Sequence, residues 1–422
     1  MNAEAAAPQS SSLGEEIAAR INELGAISET PDHLARIFLT PEHRAAADLI
    51  LGWMRAAGMR AHLDAIGNVC GRYEGQEVGM PCLMLGSHYD TVRDAGKWDG
   101  PLGILTAISC VAELNRRGRR LPFAIEVLGF ADEEGVRFAS TLLGSRAVAG
   151  TFDESVLGKT DTAGVTIREA LAGFGLDPDH VGRAARTRRE LLAYVELHIE
   201  QGPVLEGLNT PLGVVSAISG ATRLAARLTG MAGHAGTVPM KQRKDALTGA
   251  AECIGAVEQF CRTDENGLVG TVGYIHAAPG ATNVIPGQVS FTIDIRAPGD
   301  THRKRAVADM VRRIETIAKR RDLALQLDVT HENRSVPCAD WLKSQIAGAI
   351  ASEGYPVLEL PSGAGHDGMA MIDIADIGMI FVRCRGGISH HPGEHVDTAD
   401  VDAGARALLR MIENFRPRDL AE

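Results

Sequence analysis

Histidines and carboxylates follow four apolar segments of this sequence, and these residue types bind metal ions or move protons. Each apolar segment predicts a buried strand, and the polar group begins where that strand should end. The four groups are His88/Asp90/Asp99, Asp132/Glu133/Glu134, His198/Glu200 and the segment SHHPGEH at 389–395. In open α/β sheets, ligands bind at the carboxyl ends of the strands, so we expect the four groups to meet.

A divalent metal explains why so many acids and imidazoles share one edge of the sheet. Neutral imidazoles and carboxylates are ligands that zinc and manganese accept. Without a cation, several carboxylates in one cleft would repel one another. Taken alone, a histidine after a strand is more often a structural group whose hydrogen bonds are satisfied. For Asp94, Glu200 and His395 a structural role without function stays an open alternative. The joint occurrence at four strand ends favours a metal site.

The composition is that of a globular chain and excludes several classes of function. The length of 422 residues is enough for two domains. Hydrophobic residues make up 45% and charged residues 23% of the chain, which is typical of a globular protein. A net charge of −11 without a basic block argues against binding of nucleic acid. The dispersed cysteines predict reduced thiols. No secretory pattern starts the chain and no apolar run has the length of a membrane span, so we expect a cytoplasmic protein without a membrane partner.

The elements that must position these groups alternate between strands and helices. Residues 1–212 and 332–422 show this alternation and predict one catalytic α/β domain, with a mixed, largely parallel sheet flanked by helices. Residues 213–331 predict the order strand-helix-strand-strand-helix-strand, typical of a two-layer α+β, ferredoxin-like domain. Within it, VVSAISGATRLAARLTG predicts an antiparallel strand pair. We therefore expect the smaller domain to be inserted into the larger one.

A set of motifs occurs in a fixed order between roughly residues 80 and 395: GSHYDTVRDAGKWDGPLG, FADEEGVRF, ELHIEQG, GHAGTVPM, NVIPG, DIR, SGAGHD and GISHHP. Together they resemble the hydantoinase/carbamoylase amidases, which are metal-dependent relatives of the aminoacylases and of carboxypeptidase G-like peptidases. The resemblance implies two divalent ions per chain, zinc or manganese. It implies the metal ligands His88, Asp99, Glu134, His198 and His390, with Asp99 bridging both ions. His391 is the alternative to His390.

The resemblance also assigns two roles beside the ions. Glu133 matches the general base, and Asp90 matches the partner that orients the His88 ring through its other nitrogen. Divalent ions lower the pKa of a nearby water and make it a nucleophile. Glu133 is expected to take the proton of that water and to pass it to the leaving nitrogen.

In the inserted domain, the resemblance implies a dimerisation and lid function. It implies a homodimer in which His234 reaches the partner's site and stabilises the oxyanion. Asn283 and Arg296 match groups that hold the substrate carboxylate, for which the planar fork of arginine is suited. Gln201 and His366 match polar groups that line the site. The alternatives stay open: Arg296 as a surface ion pair and Asn283 as a turn residue.

These residues predict a metal-dependent amidohydrolase that cleaves a ureido or carbamoyl C–N bond of a small carboxylated substrate. We favour allantoate, which would give ureidoglycine, ammonia and carbon dioxide, over N-carbamoyl-L-amino acids and N-carbamoyl-β-alanine. The rivals are a dinuclear aminopeptidase or deacylase and a metal-binding protein without catalysis. HIEQG favours the amidase because many peptidase relatives have an acid in place of its histidine, and Glu133 argues against a non-catalytic site. The sequence has no GxSxG motif of a serine hydrolase.

Overall fold

The computed structural model describes residues 12–418, which form two compact units. Unit 1 contains the described residues up to Ser216, together with Cys338–Leu360 and the described residues from His366 onward. Unit 2 contains Ala217–Pro337 and Pro361–Gly365. The start of the chain, from which we argued against a secretory signal, lies largely outside the described residues. Among the helices of residues 12–418, none is both long and apolar enough to cross a membrane.

Strands and helices are numbered in chain order. The strands are β1 (Arg60–Leu63), β2 (Val69–Tyr73), β3 (Cys82–His88), β4 (Ala124–Phe130), β5 (Leu191–Ile199), β6 (Leu212–Ile218), β7 (Gly220–Thr229), β8 (Gly233–His234), β9 (Val269–Thr271), β10 (Ile275–Ala278), β11 (Val284–Ile285), β12 (Gln288–Ala297), β13 (Ala324–Asn333), β14 (Val336–Pro337), β15 (Glu359–Ser362) and β16 (Ile377–Val382). The α-helices are α1 (Leu13–Gly25), α2 (Pro41–Ala56), α3 (Pro101–Arg116), α4 (Leu143–Val148), α5 (Ile167–Gly173), α6 (Val204–Gly207), α7 (Ala246–Arg262), α8 (Asp300–Arg320), α9 (Asp340–Ser352), α10 (Gly368–Met371) and α11 (Thr398–Asn414).

The sheet of unit 1 has the strand order β1-β2-β4-β3-β5-β16-β6, and β15 pairs with β6. The central strands β4, β3, β5 and β16 are parallel, whereas β1, β2 and β6 run antiparallel to their neighbours. The sheet is mixed, as predicted, with its parallel pairings confined to the centre. The register pairs His88 with Phe130 and His198 with Phe381, so these four strands end at one edge.

Helices cover this sheet and bury its apolar strands. α3 packs on β3, β4 and β5, while α9 and α11 pack on β16. All residues of β3 and β4 are buried, which is why their sequences read as continuous apolar runs.

The sequence also explains where two helices begin. Ser12 and Glu15 form a capping box at α1, and Thr40 caps α2 immediately before Pro41.

Unit 2 is built on an antiparallel sheet with the order β10-β12-β7-β13, and β9 also pairs with β12. Helices α7 and α8 pack on this sheet. They enclose a core that includes Leu224, Phe291, Ile293, Met310 and Ile314. Burial alternates along β12, as expected for a strand that is covered on one face. β8 and β11 form a separate two-stranded sheet in which His234 pairs with Val284.

The predicted antiparallel pair over VVSAISGATRLAARLTG is wrong. The segment does form two strands, β6 and β7, but they lie in different sheets and are separated only by Ser219. A hairpin commonly needs a turn of two or more residues, which this connection does not provide. β6 pairs with β16 and, at its end, with β14, whereas β7 pairs along its whole length with β12.

Candidate metal centre

His88 ends β3, and the loop that follows holds its ring. The side chain is buried, and its Nδ1 lies 3.1 Å from the Asp90 carbonyl oxygen and 3.6 Å from Asp90 Oδ1. The Asp90 carboxylate also accepts hydrogen bonds from the backbone N–H groups of Glu133 (3.1 Å) and Glu134 (3.2 Å), which follow β4. Asp90 therefore connects two strand ends. A proton on Nδ1 of His88 would be held by Asp90, and Nε2 would then offer its lone pair.

Asp99 lies between three histidines and faces them with both of its oxygens. Oδ1 lies 3.4 Å from His88 Nε2 and 3.0 Å from His198 Nε2, and Oδ2 lies 3.2 Å from His390 Nε2. Burial alone would raise the pKa of Asp99, but the nearby imidazoles of His198, His390 and His88 hold this pKa well below its usual range. Asp99 belongs to two groups that are each able to hold an ion: His88/Asp99/His198 and Asp99/Glu134/His390.

The donor atoms in these two groups fit divalent ions. Two ligands at about 2.1 Å from a tetrahedral ion lie about 3.4 Å apart, close to the observed separations of 3.0–3.4 Å. His198 Nδ1 lies 2.9 Å from the Ile199 carbonyl oxygen. Its buried Nε2 makes no hydrogen bond of acceptable geometry among the described residues, although Asp99 Oδ1 lies 3.0 Å away. An orphaned nitrogen of this kind has its lone pair available for a cation.

His390 and His391 occupy different surroundings. His390 Nε2 lies 3.2 Å from both Asp99 Oδ2 and Glu134 Oε1, and His390 has a positive φ of 53°. Both histidines are exposed, but Nδ1 of His391 accepts a hydrogen bond from the backbone N–H of Gly393 (3.0 Å) instead. The geometry therefore favours His390 as the ligand in the SHHP segment.

Glu133 lies beside the centre. Its carboxylate is close to the ligand atoms of His88 and Glu134, but it is not part of a candidate ion site with Asp99. Burial raises the pKa of Glu133 well above its usual value. His88 opposes this shift, while the charges of Glu134 and Asp367 add to it. A carboxylate with a raised pKa holds a proton more readily, which suits a group that must accept and then return one.

Gln201 and His366 are also brought to this centre. Gln201 Nε2 donates hydrogen bonds to Asp99 Oδ2 (2.8 Å) and to Ser389 Oγ (3.2 Å). The buried ring of His366 packs edge-on against His198, with 4.6 Å between the ring centroids. Burial, followed by the charge of His198, holds the pKa of His366 well below its usual value. His366 therefore packs against a candidate ligand of the centre.

His234 and Asn283 lie together in unit 2. His234 is exposed, and its Nδ1 accepts a hydrogen bond from the backbone N–H of Gly236 (3.0 Å). The carbonyl of Asn283 accepts a hydrogen bond from the backbone N–H of Ala235 (2.9 Å) at the β8–β11 pair. The sheet pairing thus brings together two residues that are 49 positions apart in the sequence.

Arg296 lies in β12, in the other sheet of unit 2. Its Nε and Nη2 donate to the two carboxylate oxygens of Asp294 (3.1 and 2.9 Å), and its Nη1 donates to the Gly363 carbonyl (2.8 Å). Arg223 also donates to Asp294 (3.1 Å). Arg296 and Arg223 line a cavity of about 580 Å³ within unit 2. Arg296 is therefore in an ion pair, as its alternative interpretation proposed, and it also lines a cavity.

Sequence reasoning missed Glu394 and Glu196. Glu394 is buried and accepts hydrogen bonds from the backbone N–H groups of Trp98 and Asp99. Glu196 is fully buried in β5, where Ser87 Oγ (2.8 Å) and the Tyr194 hydroxyl (3.0 Å) donate to it. A signal existed for both. Glu394 follows the HHPG segment closely, and Glu196 interrupts an apolar strand two residues before His198.

Comparison with known sequences places the chain among metal-dependent hydrolases. A sequence profile of peptidase family M20/M25/M40 matches residues 84–414. The chain is 43% identical to the allantoate deiminase of Arabidopsis thaliana, over 95% of this chain and 82% of that protein. It is 41% identical to an N-carbamoyl-L-amino-acid amidohydrolase from Pseudomonas sp. (strain NS671), over 94% of this chain and 97% of that protein.

Comparison with solved structures gives the same result for the fold. The crystal structure of an amidase of the hydantoinase/carbamoylase family from Burkholderia multivorans matches with a TM-score of 0.89 and 33% identity. The match covers 94% of this chain and 97% of that one.

Proposed function

The chain belongs to peptidase family M20/M25/M40 and is a hydrolase of C–N bonds, and we propose that it cleaves a ureido or carbamoyl C–N bond of a small carboxylated substrate. One observation carries the proposal more than any other. Asp99 turns one oxygen to His88 and His198 and the other to His390, while Glu133 lies nearby outside both Asp99 groups. A shared carboxylate with a separate acid beside it is suited to two-ion hydrolysis.

In the proposed mechanism, two divalent ions, zinc or manganese, would be held by His88, Asp99, Glu134, His198 and His390. Bound there, they would supply Lewis acidity that lowers the pKa of water and polarises the substrate carbonyl. Glu133 accepts the proton of the attacking water and delivers it to the leaving nitrogen. Asp90 fixes the tautomer of His88, which keeps Nε2 free for its ion.

The substrate we favour is allantoate, which carries a carboxylate and two ureido arms. Support comes from relatives named allantoate deiminase in Arabidopsis thaliana and Glycine max, and from the polar groups Gln201, Asn283, Arg296 and His366. The alternative is an N-carbamoyl-L-amino acid, which the relative from Pseudomonas favours at a similar identity. N-carbamoyl-β-alanine is a third candidate. All of these substrates carry a carboxylate for Arg296 and a carbamoyl nitrogen to be released.

A substrate panel tests the proposal. Protein reconstituted separately with zinc and with manganese is incubated with allantoate, several N-carbamoyl-L-amino acids, N-carbamoyl-β-alanine, N-acetyl-amino acids and dipeptides. Ammonia release and loss of each substrate are measured. We expect ammonia from allantoate at the highest kcat/KM. Faster turnover of a carbamoyl amino acid would change the substrate but keep the reaction class, whereas cleavage of only the peptides or acetyl compounds would refute the proposed bond type.

A further inference from the structure

Glu394 connects two loops that each carry a candidate metal ligand. The residue is 4% exposed. Oε1 accepts hydrogen bonds from the backbone N–H groups of Trp98 (2.8 Å) and Asp99 (3.1 Å). Oε2 lies 2.9 Å from Ser389 Oγ, which also lies 2.8 Å from Asp99 Oδ2. One carboxylate therefore contacts both the loop that carries Asp99 and the loop that carries His390.

Gly96 leaves the space that this carboxylate occupies. A Cβ atom at Gly96 would lie 2.2 Å from both Cδ and Oε1 of Glu394. Gly96 does not belong to the glycines with positive φ, so its backbone conformation is open to other residues. Because Gly96 has no side chain, the Glu394 carboxylate can pack against the backbone of the loop that carries Asp99.

Removal of the Glu394 carboxylate would leave polar groups without partners. Trp98 and Asp99 are 3% and 6% exposed, so water has little access to replace the lost acceptor for their N–H groups. Their loop would have to move to find new partners. Asp99 would move with the loop. The distance between Asp99 Oδ2 and His390 Nε2, now 3.2 Å, would therefore change.

We propose that Glu394 is a positioning residue that sets the separation of Asp99 and His390, and thereby the occupancy of the ion site formed by Asp99, Glu134 and His390. Glu394 acts through the ligands and contacts neither substrate nor reacting atoms. The proposal rests on the metal-dependent function proposed above. The ion site formed by His88, Asp99 and His198 shares Asp99 but depends less on Glu394, because its two histidines lie in β3 and β5, outside the loops that Glu394 connects.

Metal binding by full-length variants tests this role without a substrate. Protein stripped of metal by a chelator is titrated with zinc alone. Ions per chain are counted by elemental analysis, and the affinity is measured by competition with a chromophoric chelator. Glu394→Ala and, independently, Gly96→Ala should lose one ion per chain or bind it about 10–100-fold more weakly, the range typical for lost partners of metal ligands.

Two further variants separate positioning from charge and from general destabilisation. Glu394→Gln retains a carbonyl oxygen for the two N–H groups and an amide that can donate to Ser389, so it should bind zinc like the wild type. Asp264→Ala is the matched control. Asp264 Oδ1 accepts hydrogen bonds from the backbone N–H groups of Asn266 (2.7 Å) and Leu268 (3.1 Å) in unit 2. Its loss should lower the unfolding temperature and leave the zinc content unchanged.

The outcomes are decisive in each direction. Wild-type zinc binding by Glu394→Ala overturns the proposal, and so does an equal loss in Glu394→Gln or in Asp264→Ala. If Glu394→Ala does not fold, as judged by thermal unfolding of the metal-free protein, Gly96→Ala decides by the same criteria. A wild-type chain that binds no zinc and no manganese would instead refute the metal centre of the proposed function.

Discussion

At the scale of single residues, Glu133 and Glu134 are neighbours whose carboxylates have different surroundings. Glu134 Oε1 lies 3.2 Å from His390 Nε2, and both residues form a candidate ion site with Asp99. Glu133 does not belong to either candidate ion site that contains Asp99. Glu133→Gln keeps the shape of the side chain but removes the proton acceptor. We expect kcat to fall by about 10² or more while the metal content stays unchanged, because general-base catalysis commonly contributes this much. Elemental analysis and steady-state kinetics on one preparation measure both quantities.

The control for Glu133 is another carboxylate of unit 1. Glu200 accepts hydrogen bonds from the backbone N–H groups of Val204 (2.8 Å) and Leu205 (2.9 Å), which supports its interpretation as a structural bystander. Glu200→Gln should therefore retain activity. Full activity of Glu133→Gln would mean that the base is another group. Loss of metal from Glu133→Gln would mean that Glu133 is a ligand.

Arg296 illustrates how a side chain in an ion pair can still bind a substrate. Asp294 and Gly363 engage three of the five N–H donors of the guanidinium, which leaves one donor on each of Nη1 and Nη2. Arg296→Lys keeps the charge but not the fork. We expect KM for a carboxylate substrate to rise about tenfold, which corresponds to the loss of one charge-assisted hydrogen bond, with metal content unchanged.

Two comparisons decide whether Arg296 binds a carboxylate. The wild type should turn over the carboxamide analogue of its substrate much more slowly than the carboxylate, and Arg296→Lys should reduce this preference. Equal activity of the wild type toward both compounds would contradict a carboxylate clamp. Arg223→Lys, which changes the other arginine bound to Asp294 in the same cavity, shows how much of the effect comes from a disturbed Asp294.

At the scale of elements, the candidate ligands come from the ends of the four parallel strands. His88 and His198 lie at or near the ends of β3 and β5, Glu134 follows β4, and His390 follows β16. Bound ions would connect all four strand ends and stabilise the native state by mass action. We expect chelation to abolish turnover and to lower the midpoint of thermal unfolding, and saturation to give about two ions per chain. A fully active preparation with one ion or none would contradict the dinuclear centre.

The convergence of strand ends was predictable because the signal is local. Each central strand is a buried apolar run, and the polar residues after it mark one edge of a parallel sheet. The partners of β6 and β7 were not predictable, since alternation identifies a strand but not its neighbour. Glu394 was missed because its role depends on a hydrogen bond to Asp99 across 295 positions. The choice between His390 and His391 depends on a backbone turn at His390, which residue types alone do not specify.

At the scale of the whole molecule, the proposed chemistry is divided between the two units. Unit 1 contains the candidate metal ligands and Glu133, whereas His234, Asn283 and Arg296 belong to unit 2. The division gives the proposed dimer a function. An exposed histidine such as His234 is available to a neighbouring chain, and a positioned donor at the oxyanion commonly contributes about 10²-fold or more in rate.

Subunit exchange tests whether His234 completes the partner's site. His234→Ala and Glu133→Ala should each be nearly inactive, because one lacks the oxyanion donor and the other the base. If the two proteins are mixed and exchange subunits, about half of the dimers contain one chain of each kind. In these dimers one site combines Glu133 of one chain with His234 of the other, and the second site lacks both. Activity should therefore return to about a quarter of the wild-type value. Mass spectrometry of intact dimers verifies the exchange, and its occurrence without any return of activity would show that His234 does not act across the interface.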